Sequence, residues 1–287
     1  MKVKACAKIN LMLDILGRKE NGYHDLYMLM QSVSLCDEVS VEKRKRGVYL
    51  TCSAPEIAAD KTNTAYKAAK QFFKKTGIDS GAKIHIQKNI PSQAGLAGGS
   101  ADAAAVIVAL NELYGTDLHY YELCEIGAKV GADVPFCIVG KTRICRGIGD
   151  KMELIRPIED CHILIVKPHC NVSTAEAYAE YDKIGWRRKP DQKGIVRAIK
   201  FSDLKETARL CENVFEQFIE VGERPSIKAV MRKHGALGSC MSGSGPSIFG
   251  IFDDESKAEA AARELKKDYE ECFLTVPTYY GCKIIEE

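Results

Sequence analysis

Residues 91–105 read PSQAGLAGGSADAAA, a glycine-rich stretch between two segments whose patterns predict regular structure. In residues 82–90, before it, Ile84 and Ile86 alternate with polar residues, which is the pattern of a half-buried strand. In residues 103–114, after it, good helix formers follow one another until Gly115, which predicts a helix and its end. The chain is therefore organised around a strand, a glycine loop and a helix, in that order.

The glycine loop has the features of an anion-binding site. Gly95, Gly98 and Gly99 have no side chain that would keep a ligand away from the backbone N–H groups. The helix that follows adds about half a positive charge at its N-terminus, which favours phosphate. The stretch lacks both the Gly-Lys-Ser/Thr ending of a Walker A loop and the G-x-G-x-x-G pattern of dinucleotide-binding folds. Taken alone, it is equally consistent with a flexible turn before a core helix.

Length and charge restrict the class of protein. The 287 residues suffice for one large or two ordinary domains. Lys and Arg number 41 and Asp and Glu 39, so the net charge of +2 does not favour a nucleic-acid partner. No uncharged apolar run approaches the ~18 residues that span a bilayer, and the first residues, MKVKACAKINLML, lack the pattern of a signal peptide. We expect a soluble, cytoplasmic protein with neither a nucleic-acid nor a membrane partner.

The chain has twelve scattered cysteines, and no two of them form a C-x-x-C pair. In a cytoplasmic protein of this size, such cysteines are typical of reduced and mostly buried thiols. The same scatter gives no zinc-site spacing. We therefore expect no disulfide and no structural zinc.

Candidate functional residues occur in three places outside the loop. Residues 4–13 alternate as a strand that places Lys8 and Asn10 on the same face. Tyr23 and His24 stand together at a loop edge, and Asp133 lies in the turn of GADVPF. Each also has an ordinary structural explanation: Lys8 snorkels to solvent, the ring pair packs a turn, and Asp133 makes an Asx turn or helix cap.

The remaining pattern predicts further elements. Separate strands are expected at residues 26–35 and 38–42, a helix capped by Ser173 or Thr174, and one long helix at residues 203–218. Residues 242–245 form a second glycine-serine loop before an apolar strand, and residues 186–193 form a charged loop that fits either a lid or an idle surface. Pro157 and its charged neighbours mark a domain boundary near residues 156–160.

Three separated stretches resemble, in order and spacing, the three motifs of the GHMP kinase superfamily. They are KACAKINLML at residues 4–13, IPSQAGLAGGSADAAA at 90–105 and SCMSGSGPSIFGIF at 239–252. The resemblance implies a two-domain α+β fold. Residues 1–156 would form a ribosomal S5 domain 2-like N-terminal domain that binds ATP and carries the catalytic residues. Residues 157–287 would form a ferredoxin-like C-terminal domain on the substrate side.

Two further stretches, NGYHDLYMLMQSV at 21–33 and GADVPF at 131–136, resemble one branch of this superfamily. That resemblance implies transfer of the ATP γ-phosphate to the tertiary C2 hydroxyl of 4-diphosphocytidyl-2-C-methyl-D-erythritol, in the non-mevalonate route to isoprenoid precursors. By similarity Asp133 is the catalytic base and Lys8 lies beside it. A nearby ammonium keeps such a carboxylate ionised and neutralises charge on the moving phosphoryl group.

The resemblance also implies the binding residues. The ATP-binding set is Pro91, Gly95, Leu96, Ala97, Gly98, Gly99, Ser100 and Ala101. The Ser100 hydroxyl would contact Mg²⁺ or a phosphate oxygen. Two positions depart from the family pattern, because Ala97 replaces a frequent glycine and Ala101 a frequent serine. Alanine is acceptable at position 97 if the backbone there is not left-handed.

On the substrate side, the resemblance places cytosine between the rings of Tyr23 and Tyr178, with His24 supplying hydrogen bonds and Asn10 binding the diphosphate or hydroxyls. Residues 243–245 would pack against the ATP loop. Two alternatives stay open: another small-molecule kinase of the superfamily, acting on mevalonate, homoserine or a sugar, and a non-catalytic nucleotide-binding relative. The chain is expected to act as a monomer or a homodimer.

Overall fold

The computed structural model describes residues 1–20, 22–149, 151–184 and 187–286. Within these ranges the strands are β1 (Lys2–Arg18), β2 (His24–Arg44), β3 (Gly47–Cys52), β4 (Gly81–Gln87), β5 (Thr142–Gly147), β6 (Lys151–Leu154), β7 (His162–Val166), β8 (Glu212–Asn213), β9 (Gly238–Met241), β10 (Ile248–Phe252), β11 (Cys272–Thr275) and β12 (Cys282–Glu286). The helices are α1 (Thr64–Thr76), α2 (Gly98–Tyr114), α3 (Tyr120–Ala128), α4 (Val134–Val139), α5 (Thr174–Lys183), α6 (Gln192–Lys200), α7 (Leu204–Arg209), α8 (Arg224–Lys233) and α9 (Glu255–Leu265).

The larger sheet is built around β2. This strand pairs antiparallel with β1, β4 and β5, and the sheet runs in the order β12-β1-β2-β4-β3, with β6 beside β5 and β8 beside β1. Its central strands are long apolar runs because side chains on them are buried by two sets of neighbours. Helices α1 to α4 pack against some of these side chains, and residues of the second half of the chain pack against others. The fold is therefore α+β, as predicted.

Helix α2 runs through the middle of the N-terminal half. Ala101 to Ala105 and the residues up to Leu110 are almost all buried, so the helix is apolar on every side. Such a helix must be covered on every side, and α2 packs against β1, β2, α1 and α4. Because the glycine loop runs directly into α2, the loop is attached to a helix that its neighbours hold in place.

The smaller sheet consists of β7, β9, β10 and β11 in the order β11-β7-β10-β9, and every pair in it is antiparallel. With α8 before β9 and α9 between β10 and β11, this is the strand order of a ferredoxin-like domain. The last strand, β12, does not join this sheet but pairs with β1 of the larger one. The division into residues 1–156 and 157–287 stays a prediction. Strand β12 belongs to the second range by residue number but lies in the sheet of the first.

Two predicted elements are wrong. The segments at residues 26–35 and 38–42 form one continuous strand, β2, because Asp37 lies buried within it and accepts hydrogen bonds from the backbone N–H groups of Asn89 and Ile90. The helix predicted at residues 203–218 ends with α7 at Arg209. Asn213 then turns the chain, because its buried amide group donates to two carbonyl oxygens of the 241–243 segment and its side-chain oxygen accepts from a 3₁₀ turn, Val214–Gln217.

The cysteine prediction is wrong for one pair. Cys6 and Cys36 are cross-strand partners on β1 and β2, with Cα atoms 4.1 Å apart, and they form a disulfide. Their sequence separation hides this proximity, which the strand register creates. The other ten cysteines are free, and half of them are buried. Among the described residues, no group of His, Cys, Asp and Glu side chains is arranged to hold a metal ion.

Among the helices in the described part of the chain, none is long and apolar enough to cross a membrane.

Candidate active site

Lys8 lies buried on β1 with its ammonium inside a cluster of oxygen atoms. Its Nζ donates to Asn10 Oδ1 at 2.6 Å and to the backbone oxygen of Gly95 at 3.0 Å. The same Nζ is 3.9 Å from Asp133 Oδ2. Only 5% of the Lys8 side chain is exposed, so this lysine does not snorkel to solvent. Strand alternation places Lys8 and Asn10 on one face, as the pattern of residues 4–13 predicts.

Asp133 stands directly before α4. Its side chain makes no cap hydrogen bond to the helix, and the turn is closed instead by backbone bonds and by Pro135 in the first helical turn. One third of the side chain is exposed (33%), and Asp133 lines the cavity described below. The helix-cap explanation of this aspartate is therefore not supported, and its carboxylate is available for a ligand.

The glycine loop is held by the second glycine-serine loop, as the resemblance implies. Gly95 has φ +73°, and an added Cβ there would lie 2.2 Å from the backbone oxygen of Ser242. Ser242 Oγ donates to the oxygen of Gly95 at 2.9 Å, and the Gly243 N–H donates to Asn10 Oδ1 at 3.0 Å. A side chain at residue 95 or 243 would therefore crowd the other loop, because the two loops approach each other through their backbones.

Helix α2 begins at Gly98, earlier than the residue 103 predicted from sequence, and Ala97 precedes it in a left-handed conformation with φ 60° and ψ 30°. The condition under which alanine was acceptable at position 97 is thus not met. A left-handed residue with a Cβ is strained, which explains why glycine is frequent at this position in the family.

Replacing Ala97 with glycine is therefore expected to raise the free energy of unfolding by about 0.5 kcal/mol. The relief of left-handed strain, about 1–2 kcal/mol, exceeds the extra chain entropy of glycine, about 0.5–1 kcal/mol. Ala101→Gly is the matched control, because residue 101 lies inside α2 and its replacement should destabilise by about 1 kcal/mol. Urea unfolding of both variants measures the two signs, and a loss of stability in Ala97→Gly would contradict the strain.

A buried charge cluster joins the two ends of the glycine loop. Lys88, in the segment that enters the loop, donates to Asp102 Oδ2 of α2 at 2.9 Å and also to Asp37 of β2. Asp37 in turn accepts the N–H groups of Asn89 and Ile90. Burial, and next the neighbouring Asp37 carboxylate, raise the pKa of Asp102 to about 8.

This pKa has a consequence for stability against pH. A free aspartate titrates near pH 4, so between about pH 4 and pH 8 the folded chain keeps a proton that the unfolded chain has released. Asp102 therefore makes stability fall as pH rises through that window. We expect Asp102→Asn to have a flatter dependence of Tm on pH between 5 and 8, with the exposed Asp117→Asn as control. Parallel curves for Asp102→Asn and the unmodified chain would contradict the shift.

Two of the substrate-side residues predicted from sequence, His24 and Tyr178, contact each other. The His24 ring stacks on the Tyr178 ring with centroids 4.6 Å apart and planes 16° from parallel. Burial raises the pKa of the Tyr178 hydroxyl, which keeps that hydroxyl protonated. Tyr23 is 62% exposed. Both tyrosines line the cavity, with Tyr178 partly buried and Tyr23 exposed.

A single cavity of about 1120 Å³ connects these parts. Lys8, Asn10 and Asp133 line this cavity, together with the glycine loop and with Tyr23, His24 and Tyr178. The structure therefore brings together all the site residues predicted from sequence except Leu96 and Ala101, which are buried and do not line the cavity. It also adds residues that sequence reasoning missed: Lys88, Asp102, Arg18 and Asp182.

The cavity has donors suited to phosphate oxygens. The Asn10 Nδ2 group is buried and, within the described ranges, has no hydrogen-bond partner, so it is a donor without an acceptor. The N-terminal turn of α2 opens into the same space with Gly98, Gly99 and Ser100. These features fit a triphosphate and a diphosphate. Ser100, which carries a hydroxyl, is among the residues that line this cavity.

Comparison with known proteins gives consistent relatives. The model of the GHMP kinases N terminal domain matches residues 63–141, and that of the GHMP kinases C terminal domain matches residues 195–271. The 4-diphosphocytidyl-2-C-methyl-D-erythritol kinase of Clostridium acetobutylicum is 42% identical over 277 residues, which cover 96% of this chain and 99% of the relative. The enzyme of the same name from Acetivibrio thermocellus is 45% identical over 277 residues, covering 96% and 98%.

Solved structures agree in the arrangement of the chain. A crystal structure of 4-(cytidine 5'-diphospho)-2C-methyl-D-erythritol kinase matches with a TM-score of 0.80 and 30% identity, over 96% of this chain and 99% of that one. The homoserine kinase of Cytophaga hutchinsonii matches with a TM-score of 0.81 at 22% identity, over 99% and 97%. At that identity the second likeness concerns the fold alone.

Proposed function

The chain belongs to the GHMP kinases and, within them, to the 4-diphosphocytidyl-2-C-methyl-D-erythritol kinases, and on this premise we propose that it transfers the γ-phosphate of ATP to the C2 hydroxyl of 4-diphosphocytidyl-2-C-methyl-D-erythritol. This reaction belongs to the non-mevalonate route to isoprenoid precursors. Both substrates are charged phosphate esters that do not cross membranes unaided, which supports a cytoplasmic location.

The single observation that carries the proposal is the 3.9 Å separation of Lys8 Nζ and Asp133 Oδ2, two residues that both line the cavity. A tertiary hydroxyl is a poor nucleophile, and a carboxylate that accepts its proton during attack assists the transfer. In this proposal Asp133 is that base. The Lys8 ammonium stabilises negative charge on the phosphoryl group while that group passes between the substrates.

The nucleotide end is assigned to the glycine loop. Backbone N–H groups of residues 95–100 and the N-terminus of α2 would bind the phosphates, with Gly95, Gly98 and Gly99 allowing close approach. Ser100 would help to hold the Mg²⁺ that accompanies ATP, and that ion would neutralise phosphate charge when bound. Gly243 supports the loop through Asn10 and leaves the Lys8 ammonium room: an added Cβ there would come within 3.4 Å of Nζ.

The substrate end is assigned to the aromatic pair. The proposal places the cytosine against Tyr178 and Tyr23, with hydrogen bonds from the His24 region, and the diphosphate near the unpartnered Asn10 Nδ2. Stacking accepts any base, so specificity for cytosine depends on the hydrogen bonds. The partly buried Tyr178 ring provides the fixed side of this slot, because it also packs against the Phe215 ring, with the two ring centroids 5.2 Å apart.

A coupled assay of ADP release tests the function. The purified chain is given ATP and Mg²⁺ with 4-diphosphocytidyl-2-C-methyl-D-erythritol, mevalonate, homoserine and galactose in parallel. We expect turnover with the cytidyl substrate alone and competitive inhibition by CMP or CDP. Turnover with one of the other alcohols, without inhibition by cytidine nucleotides, would favour a different kinase of the superfamily. Binding of ATP without turnover of any substrate would favour the non-catalytic alternative.

A further inference from the structure

Helix α5 holds His24 with two side chains one turn apart. Tyr178 and Asp182 have the i, i+4 spacing that places both on one face of the helix. The Tyr178 ring stacks against the face of the imidazole, and Asp182 Oδ1 lies 2.7 Å from its Nε2. The stacking on Tyr178 fixes the plane of the His24 ring, and the contact with Asp182 fixes how the ring is turned within that plane.

Asp182 uses its second oxygen for Arg18. The guanidinium NH1 of Arg18 lies 3.2 Å from Asp182 Oδ2, and Arg18 is the β1 residue paired with His24 on β2. Asp182 therefore binds both residues of one cross-strand pair at the end of the larger sheet. The residue before Asp182 on the same helix, Tyr181, donates its hydroxyl hydrogen to the backbone oxygen of Ile15 at 3.0 Å. The end of α5 is held against the strands that carry the base-binding residues.

The contact also determines which ring nitrogen carries hydrogen. A carboxylate only accepts hydrogen bonds, so Nε2 of His24 is the donor. The hydrogen bond from His24 lowers the pKa of Asp182, with Arg18 adding to the effect, and the carboxylate stays ionised. In the neutral imidazole the other nitrogen, Nδ1, is then an acceptor. An acceptor suits the exocyclic amino group of cytosine and opposes the carbonyl oxygen that uracil has at that position.

We propose that Asp182 is a positioning residue of the cytosine site, which acts through His24 by fixing its ring and its tautomer and so favours a cytosine base over uracil. This inference rests on the proposed function, because it concerns the same substrate. Asp182 touches neither the reacting hydroxyl nor ATP in this assignment. Its loss should therefore change the binding of the base and leave the nucleotide end of the cavity unaffected.

The test uses two substitutions of Asp182 and one matched control. Asp182→Leu removes the acceptor at similar size, and Asp182→Asn keeps one acceptor oxygen. Asp25→Asn removes an exposed carboxylate next to His24 in sequence, whose partner is Lys19 at 3.6 Å. Titration calorimetry with CMP, UMP and ATP measures the three affinities for each variant and for the unmodified chain.

We expect Asp182→Leu to weaken CMP binding about tenfold, which is typical of losing a hydrogen bond to a charged group, and to reduce the preference for CMP over UMP. Its ATP affinity should stay within about twofold, and Asp182→Asn and Asp25→Asn should stay close to the unmodified chain. Unchanged CMP binding in Asp182→Leu, an unchanged CMP-to-UMP ratio, or an equal loss for ATP would each overturn the positioning role.

A measurement on the unmodified chain keeps the inference testable if the leucine variant does not fold. The imidazole ¹⁵N shifts of His24, assigned by comparison with His24→Gln, should report hydrogen on Nε2 only, and hydrogen on Nδ1, alone or on both nitrogens, would overturn the assignment. Failure of the proposed function is distinguishable from failure of this inference. If the unmodified chain does not bind CMP at all, the function falls, whereas CMP binding that is insensitive to Asp182 removes only the role of Asp182.

Discussion

Replacing Asp133 with asparagine is expected to lower kcat by about 1000-fold, the middle of the range for loss of a general base. Asparagine has the same shape but cannot take up the proton of the C2 hydroxyl. The backbone of the turn does not depend on this side chain, because Asp133 makes no cap hydrogen bond to α4. The change should therefore leave the fold, and the KM for both substrates, close to those of the unmodified chain.

Steady-state kinetics and a thermal unfolding curve measure this prediction together. A loss of kcat with unchanged Tm and KM assigns Asp133 to the chemical step, because the interaction lost is one made only in the transition state. Turnover near the normal rate would remove Asp133 as the base. A large fall in Tm would instead assign it a structural role, as the partner of the buried Lys8 ammonium 3.9 Å away.

Replacing Lys8 with methionine is the second large effect, and we expect it to lower kcat by about 100- to 1000-fold, as for other removed charge-stabilising groups. Methionine is of similar length, so the buried space stays filled. The substitution leaves Asn10 Oδ1 and the backbone oxygen of Gly95 without the donor that lies 2.6 Å and 3.0 Å from them. It also takes the positive charge away from Asp133 and from the path of the phosphoryl group.

Lys4→Met is the matched control for this experiment. Lys4 lies on the same face of β1, four residues earlier. The strand pairs there with β12 and β2, and Lys4 does not line the cavity. Kinetics of the two variants should differ by at least two orders of magnitude in kcat. Equal, small losses in both would indicate that the ammonium of Lys8 stabilises the strand and takes no part in the transfer. Lys8→Arg separates charge from geometry, because the wider guanidinium does not fit between the same three oxygens.

Local patterns predicted much of the fold. The strand before the glycine loop and the apolar helix after it were visible because each has a clear period, and Ser173 caps α5 by accepting from the Glu176 N–H as the pattern suggested. Long-range contacts account for what the sequence did not reveal. Asp37 interrupts the alternation of β2 and looks like a turn residue until the loop that it bonds is placed beside it.

The site follows the same division. The positions of Lys8 and Asp133 were predictable by resemblance, but their proximity is a property of the tertiary structure. Lys88 and Asp102 were missed, although a carboxylate at the start of a long run of apolar helix residues is a signal that could have drawn attention to Asp102. Asp182 gives a weaker signal, because its spacing from Tyr178 has meaning only when His24 is known to lie against α5.

The pairing of β12 with β1 affects how the protein is made. Strand β1 leaves the ribosome well before its edge partner β12, because most of the chain lies between them. Until β12 has been made, the part of β1 from Lys2 to Ala5 has an edge open to pairing with other chains, which is a route to aggregation. A product that lacks residues 282–286 therefore lacks this pairing at the start of the strand that carries Lys8 and Asn10.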